Sequence, residues 1–254
     1  MSDKKRSTDR LDSTRRALTL SALGLAGAAL TGCGGSTDDT EEAPNLRFVN
    51  GTLEYTSMNV SLDGSAQPVL SGLGNGGEIS AIRTVTEGVH TVRMASTNPV
   101  GEVSGTKDFD IDTYTTALAY GPQTAKLLFI DENSDDAPAG RTRLRVFQAA
   151  SNAGALDVYL TGTNVTDLNP LNPNVENLAY DSQTSMNAPV TLDSGTYRIH
   201  LTATDSKTVI YRSANLTLPS RSVVTLVIVP DDGELTVVAL PERRNGNQLT
   251  NQLP

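Results

Sequence analysis

The sequence predicts an all-β protein: two tandem, antiparallel, immunoglobulin-like β-sandwiches behind an export signal and a flexible tether. Three observations carry that prediction. Apolar residues alternate with polar ones around Val92-Met94 and Tyr197-Ile199-Leu201, the pattern of half-buried strands. Turn signals punctuate the runs at Glu87-Gly88, Ser194-Gly195 and Asp232-Gly233. The chain also repeats itself, and no amphipathic helix of useful length follows the first forty residues.

Composition narrows the function before any motif does. The 254 residues carry 20 Lys+Arg against 29 Asp+Glu, a net charge of −9, which argues against a nucleic-acid groove built on clustered positive charge. A single cysteine cannot form an internal disulfide or a CxxC zinc site, and two histidines leave little for metal or triad chemistry. No cofactor is expected.

Residues 1–32 read as an address. A basic start that includes Arg15 and Arg16 precedes an apolar run from Ala17 to Leu30, too short for a membrane-spanning helix but suited to a signal peptide. The run ends in Leu30-Thr31-Gly32-Cys33, which resembles a bacterial lipobox. There the peptide is cut between Gly32 and Cys33, and the thiol accepts diacylglycerol. Arg15-Arg16 resembles a twin-arginine export pair, although Thr19 and Leu20 stand where the usual Lys would follow. The alternative is an ordinary secretory lipoprotein signal that contains two arginines. The mature chain would carry a charge of −12, so attachment to a membrane is expected from acyl chains on Cys33 alone. Residues 33–45 are small and acidic, a tether. Gly34, in the place where Asp would signal inner-membrane retention, implies the outer membrane of a Gram-negative cell.

Past residue 45 the duplication begins. Leu46 to Gly64 aligns on Leu144 to Gly162 at an offset of 98, with Leu46/Leu144, Arg47/Arg145, Val60/Val158 and Leu62/Leu160 identical. Residues 87–98 align on 194–205 at an offset of 107, which extended further pairs Phe109 with Leu216, Ile111 with Leu218, Leu128 with Leu235 and Ile130 with Val237. The extra nine residues are expected within Thr163 to Asn177. Seven strands per repeat are expected, near 46–49, 58–62, 77–84, 89–96, 106–111, 114–120 and 125–131 in the first. Val223 to Val229 is apolar and rich in β-branched residues, as a strand covered on both faces would be. The organisation predicted is a first sandwich over 46–133, a linker over 134–142, a second sandwich over 143–242 and a disordered tail over 243–254.

The second repeat, LRVFQAASNAGALDVYL followed by LAYDSQ, LDSGTYRIHLT and LTLPSRSVVTLVIV, resembles the bacterial secreted family called domain of unknown function 4397. The first repeat resembles a divergent copy, with Asn59 for the Asp and His90 for the Tyr. The resemblance implies a β-sandwich in the cell envelope. It supplies no activity and no functional residues.

Candidate sites are few. Asp157 and Tyr159 are expected on the sheet face opposite Val158 and Leu160, and Tyr197 as a corner tyrosine tying a turn to backbone, with His90 its counterpart. His200 is expected as a solvated surface residue. Asp131, Asn133 and Asp135 resemble the start of a calcium loop, but the Gly and Glu that complete one are missing, so an acidic hinge is the plainer reading. Gly72 to Gly77 lacks the Lys and helix of a phosphate cradle and reads as a flexible loop. No Gly-x-Ser-x-Gly elbow or histidine beside an acid cluster supports catalysis. The loop 163–177, with Asn164, Asn169, Asn172 and Asn174, presents amides that could read glycan hydroxyls. The expectation is therefore a non-enzymatic envelope lipoprotein, a structural or binding module partnered by the membrane and by a glycan or envelope protein. The alternative is a carbohydrate- or peptidoglycan-binding accessory using the 163–177 loop.

Overall fold

A strand that is apolar on both sides needs a core on both sides, and that requirement organises this molecule. The computed structural model describes residues 42–132 and 136–253. The signal peptide, Arg15, Arg16, Gly32, Cys33 and the tether to residue 41 lie outside the described residues, as do Asn133 and Asp135.

The first half contains β1 (Asn45–Gly51), β2 (Ser57–Leu62), β3 (Leu70–Gly74), β4 (Glu78–Ile79), β5 (Arg83–Thr84), β6 (Gly88–Thr97), β7 (Val100–Phe109), β8 (Tyr114–Tyr120) and β9 (Lys126–Asp131). The second contains β10 (Arg141–Gln148), β11 (Leu156–Gly162), β12 (Val175–Leu178), α1 (Thr184–Asn187), β13 (Val190–Asp193), β14 (Gly195–Ala203), β15 (Val209–Leu218), β16 (Ser222–Asp231), β17 (Glu234–Pro241) and β18 (Asn247–Leu249). The fold is all-β, as the alternation predicts. Each half pairs an outer sheet, β3-β2-β6-β7 or β12-β11-β14-β15, with an inner one, β4-β1-β8-β9 or β13-β10-β16-β17-β18. The inner sheets are not purely antiparallel: β1 runs parallel to β8, and β10 to β16. In each half the outer sheet lies between those two strands in the chain, which is the long crossover a parallel pair requires.

Three cores result. Leu46, Phe48, Val60, Val92, Met94 and Phe109 fill the first sandwich, and Val146, Val158, Ile199, Leu201, Leu226 and Ile228 the second. The third lies between the two inner sheets. On β16, Leu226 and Ile228 face their own sandwich while Val227 and Val229 face the other half.

Strand registers show how the third core is built. Arg47 lies opposite Thr116 and Arg145 opposite Thr225, so the two parallel pairs share one register. By the same registers Val49 corresponds to Phe147, Leu118 to Val227, Tyr120 to Val229 and Ile130 to Leu240, and all eight belong to the third core. The same patch of each half meets its counterpart, the arrangement a two-fold dimer uses, here within one chain. The polar contacts obey the same rule. Arg47 pairs with Glu132 at 2.7 Å and donates from Nε to Thr116 at 2.7 Å. Arg145 pairs with Glu242 at 2.7 Å and donates from Nε to Thr225 at 3.0 Å. Each guanidinium then crosses the interface, Arg47 Nη2 to the Pro241 carbonyl at 3.2 Å and Arg145 Nη1 to the Asp131 carbonyl at 3.1 Å. Burial pulls Arg47 below the ordinary arginine pKa despite its carboxylate partner.

Several expectations are corrected. The offset of 107 does not hold beyond β14: Phe109 corresponds to Leu218, Leu128 to Val238 and Ile130 to Leu240. The β6–β7 hairpin turns on two residues, Asn98 and Pro99, whereas the β14–β15 hairpin is longer and bulged, and each extra turn residue slides the alignment. The strand expected over 77–84 is two short strands, and β3 was not expected. Residues 247–249 form β18 on β17, with the Leu249 carbonyl accepting from Tyr211, where a disordered tail was expected. Gly76 and Gly77 are not a loose loop. Gly77 N–H donates to the Asn50 carbonyl, Gln248 donates to the Gly76 carbonyl, and a Cβ on Gly77 would stand 2.4 Å from Val238 Cγ2.

Candidate functional site

On β11, Leu156, Val158 and Leu160 point into the core, which sends Asp157 and Tyr159 to the outer face. They are not solvated there: Asp157 is 7% exposed and Tyr159 1%. Two loops bury them. The 204–208 hairpin places Lys207 Nζ 4.9 Å from the Tyr159 ring centroid and 3.0 Å from its hydroxyl, and the same ammonium donates to the Leu171 carbonyl of the 163–174 loop. On the other side, Asn177 takes a left-handed conformation, φ 48°, at a bulge between β11 and β12, and its N–H donates to Asp157 Oδ1 at 2.8 Å.

The first half repeats this bulge. Gly72, at φ 75°, donates its N–H to Asn59 Oδ1 at 3.0 Å, and Asn59 is the counterpart of Asp157. Holding the bulge is therefore the shared duty of residues 59 and 157.

Above Asp157 and Tyr159 is a cavity of about 490 Å³, walled by Glu176 and Asn177, by Pro173, and by the hairpin residues Thr204 to Lys207. Three carboxylates, Asp157, Glu176 and Asp205, line it with one ammonium, Lys207. Thr202, fully buried, lies opposite Asp157 on the same face, and its hydroxyl has no hydrogen-bond partner among the described residues. His200 lies opposite Tyr159, is 2% exposed and sits 3.2 Å from Thr161 Oγ1. Burial lowers its pKa, and the charges of Arg198 and Arg212 lower it further, all of which favours the neutral imidazole. The expectation of a solvated His200 is thus wrong. Alternation puts it on the outer face, but that face is covered.

The loop asparagines do not converge. Asn164, Asn169 and Asn172 are exposed, and Asn174 is tied to β11, its N–H donating to the Val158 carbonyl and its side-chain oxygen accepting from Leu160 N–H at 2.6 Å. Reading the sequence included Glu176 and Asn177 in the 163–177 loop without singling them out, and missed Thr204 and Lys207. The signal that finds them is loop length. Asp131 is occupied, 2.8 Å from Lys107 Nζ, and no group of three or more His, Cys, Asp or Glu among the described residues is placed to hold a metal ion. The corner expectation is met in both halves: Tyr197 donates to the Asp193 carbonyl at 2.8 Å, and His90 Nε2 lies 3.0 Å from the equivalent Thr86 carbonyl. No helix of the described residues is long and apolar enough to cross a membrane.

Residues 44–159 match the family described as "Domain of unknown function (DUF4397)". The match covers the first repeat and the opening strands of the second, rather than 144–242, where the motifs are richest. The first repeat keeps the strand spacing without the insertion that interrupts the second. No curated protein matches the chain by sequence. Among solved structures, a fimbrial assembly protein from Parabacteroides distasonis ATCC 8503 is similar at 10% identity over 81% of this chain and 97% of that one, with a TM-score of 0.23, too low to carry an argument.

Proposed function

We propose that the chain is a non-enzymatic lipoprotein of the cell envelope, a binding module held to the outer membrane through acyl chains on Cys33. The observation that carries this reading is the position of the sole cysteine, at the end of the apolar run and followed at once by a small, acidic tether. A family met in secreted bacterial chains agrees with it. So does the folded block, whose charged residues at the inner interface serve to hold the two halves together. Membrane fractionation with protease shaving of intact cells tests the reading. The wild type should pellet with the outer membrane and Cys33→Ala should be released. A Cys33→Ala protein that still pellets would refute the anchor.

A second reading, a carbohydrate- or peptidoglycan-binding accessory, is favoured by the cavity beside the 163–177 loop.

A further inference from the structure

We infer that the cavity above Asp157 binds a neutral or amino-bearing saccharide through its hydroxyls, with Asp157, Asn177 and Lys207 as the recognising groups. The inference rests on reading the chain as a binding module. It moves the site from Asn164, Asn169, Asn172 and Asn174 to the end of that loop and the covered sheet face beside it.

The repeat itself is the first argument. Equivalent positions differ by 98 residues at β2/β11 and by 105 at β3/β12, so the second copy is seven residues longer between those strands. The offset rises again from 107 to 109 across the β14–β15 hairpin. Both of these additions border one cavity: the first supplies Pro173, the second carries Lys207. In the first copy the corresponding concavity, about 340 Å³, has Asn59, Ser61 and Thr97 and is closed by a two-residue turn. Of the eleven residues the second copy adds between β11 and β15, nine fall in these two segments and two fall between β12 and β14.

Chemistry is the second. Asp157 Oδ1 is held by the Asn177 N–H, while its other oxygen makes no hydrogen bond within the described protein. Lys207 is pinned by Tyr159 and by the Leu171 carbonyl. A fixed carboxylate, a carboxamide and an ammonium are complementary to hydroxyls, each of which both donates and accepts. The volume lies within the ~300–1,000 Å³ of small-molecule sites. Three carboxylates against one ammonium repel phosphate and uronate groups.

The first copy also supplies the test. Asp157→Asn and Asn177→Gly install the residues that close the same bulge at Asn59 and Gly72, so the double variant should fold as the wild type does. Titration calorimetry of the purified protein would use maltotetraose, the tetramers of N-acetylglucosamine and of glucosamine, and tetragalacturonate. We expect at least one of the first three to bind and tetragalacturonate not to bind. The double variant should keep its melting temperature and lose affinity by about tenfold or more, the effect of one charge-assisted hydrogen bond. Binding by none of the four, equal binding of tetragalacturonate, or unchanged affinity in the double variant would overturn the inference. Because binding is measured in solution, it fails or succeeds independently of the Cys33 anchor.

Discussion

In the first half the outer sheet meets water, and in the second the equivalent sheet is covered. Val89 and Val100 stand 66% and 87% exposed on β6 and β7, and β7 alternates exposed and half-buried residues along nearly its whole length. On β11 and β14 the outward Tyr159, His200 and Thr202 are at most 2% exposed. The inner sheets show the reverse. There the central strands of the two halves match position for position, down to an Arg on the first strand, a Thr on its parallel neighbour and a Glu directly after β9 or β17. A face that must fit its own counterpart tolerates little change on either side. A face that fits only solvent can be built upon, and two loop extensions suffice to turn a wet sheet surface into a buried polar floor.

The largest effect should come from the shared interface. Glu132→Leu leaves the Arg47 guanidinium, 1% exposed, without its carboxylate, and should lose about 3–5 kcal/mol in urea unfolding. Arg47→Met with Glu132→Leu removes both charges and should recover most of that loss. The same exchange at Arg145 and Glu242 should cost less, because those side chains are 10% and 8% exposed. Equal losses in the two halves would show that exposure does not separate them.

How much of this was legible beforehand follows the range of each interaction. The alternation in Tyr197-Ile199-Leu201 and the doubly apolar run at Val223 to Val229 report local burial, and strands formed there. The identity of Arg47 with Arg145 was visible as well. Its meaning was not, since Glu132 lies 85 residues from Arg47 and, between Asp131 and Asn133, reads as part of an acidic hinge. Hairpin lengths were equally hidden, because an added turn residue leaves strand periodicity intact while sliding every later equivalence. The site at Asp157 was half legible. Period two sends its side chain outward, but the left-handed Asn177 that holds it and the Lys207 that roofs its neighbour come from chain twenty and fifty residues away.

The third core can be challenged directly. Gly77 has φ 88°, and a Cβ there would stand 2.4 Å from Val238 Cγ2 and 3.0 Å from Val229 Cγ2. Gly77→Val should cost about 2–4 kcal/mol through strain and overpacking together. Gly140, in the segment joining the halves, has φ 77° but nothing within 4 Å of its Cβ position, so Gly140→Ala should cost only the backbone strain, about 1 kcal/mol. Similar losses would mean that the Gly77 turn does not press on the second half.

The two histidines should respond to acid in opposite senses. His200 is held below its ordinary pKa by burial, Arg198 and Arg212, so its contribution is complete above about pH 6.5 and is lost as pH falls toward the folded value. His90 is raised by its hydrogen bond to Asp63, so its contribution is complete below about pH 6.5 and is lost as pH rises through the folded value. Between pH 7.5 and 5.5, His200→Gln should flatten a fall in melting temperature and His90→Gln should remove a gain. A rise on acidification that disappears in His200→Gln would place the buried imidazole in its charged form.

The smallest effect should fall on the residue that occupies the place of His200 in the other half. By strand register that residue is Arg93, paired with Glu102 and with side chains 45% and 58% exposed. An ion pair in that setting is worth about 0–1 kcal/mol, and salt screens it. Arg93→Ala should therefore change unfolding by less than about 1 kcal/mol, and less still at high salt. His200→Ala, at the equivalent place, opens space beneath Tyr159 and should cost more at every salt concentration. Should Arg93→Ala prove as costly as His200→Ala, the outer sheet of the first half would have a cover of its own in solution, and the contrast between a wet face and a roofed one would fail at the position where the two copies are most directly comparable.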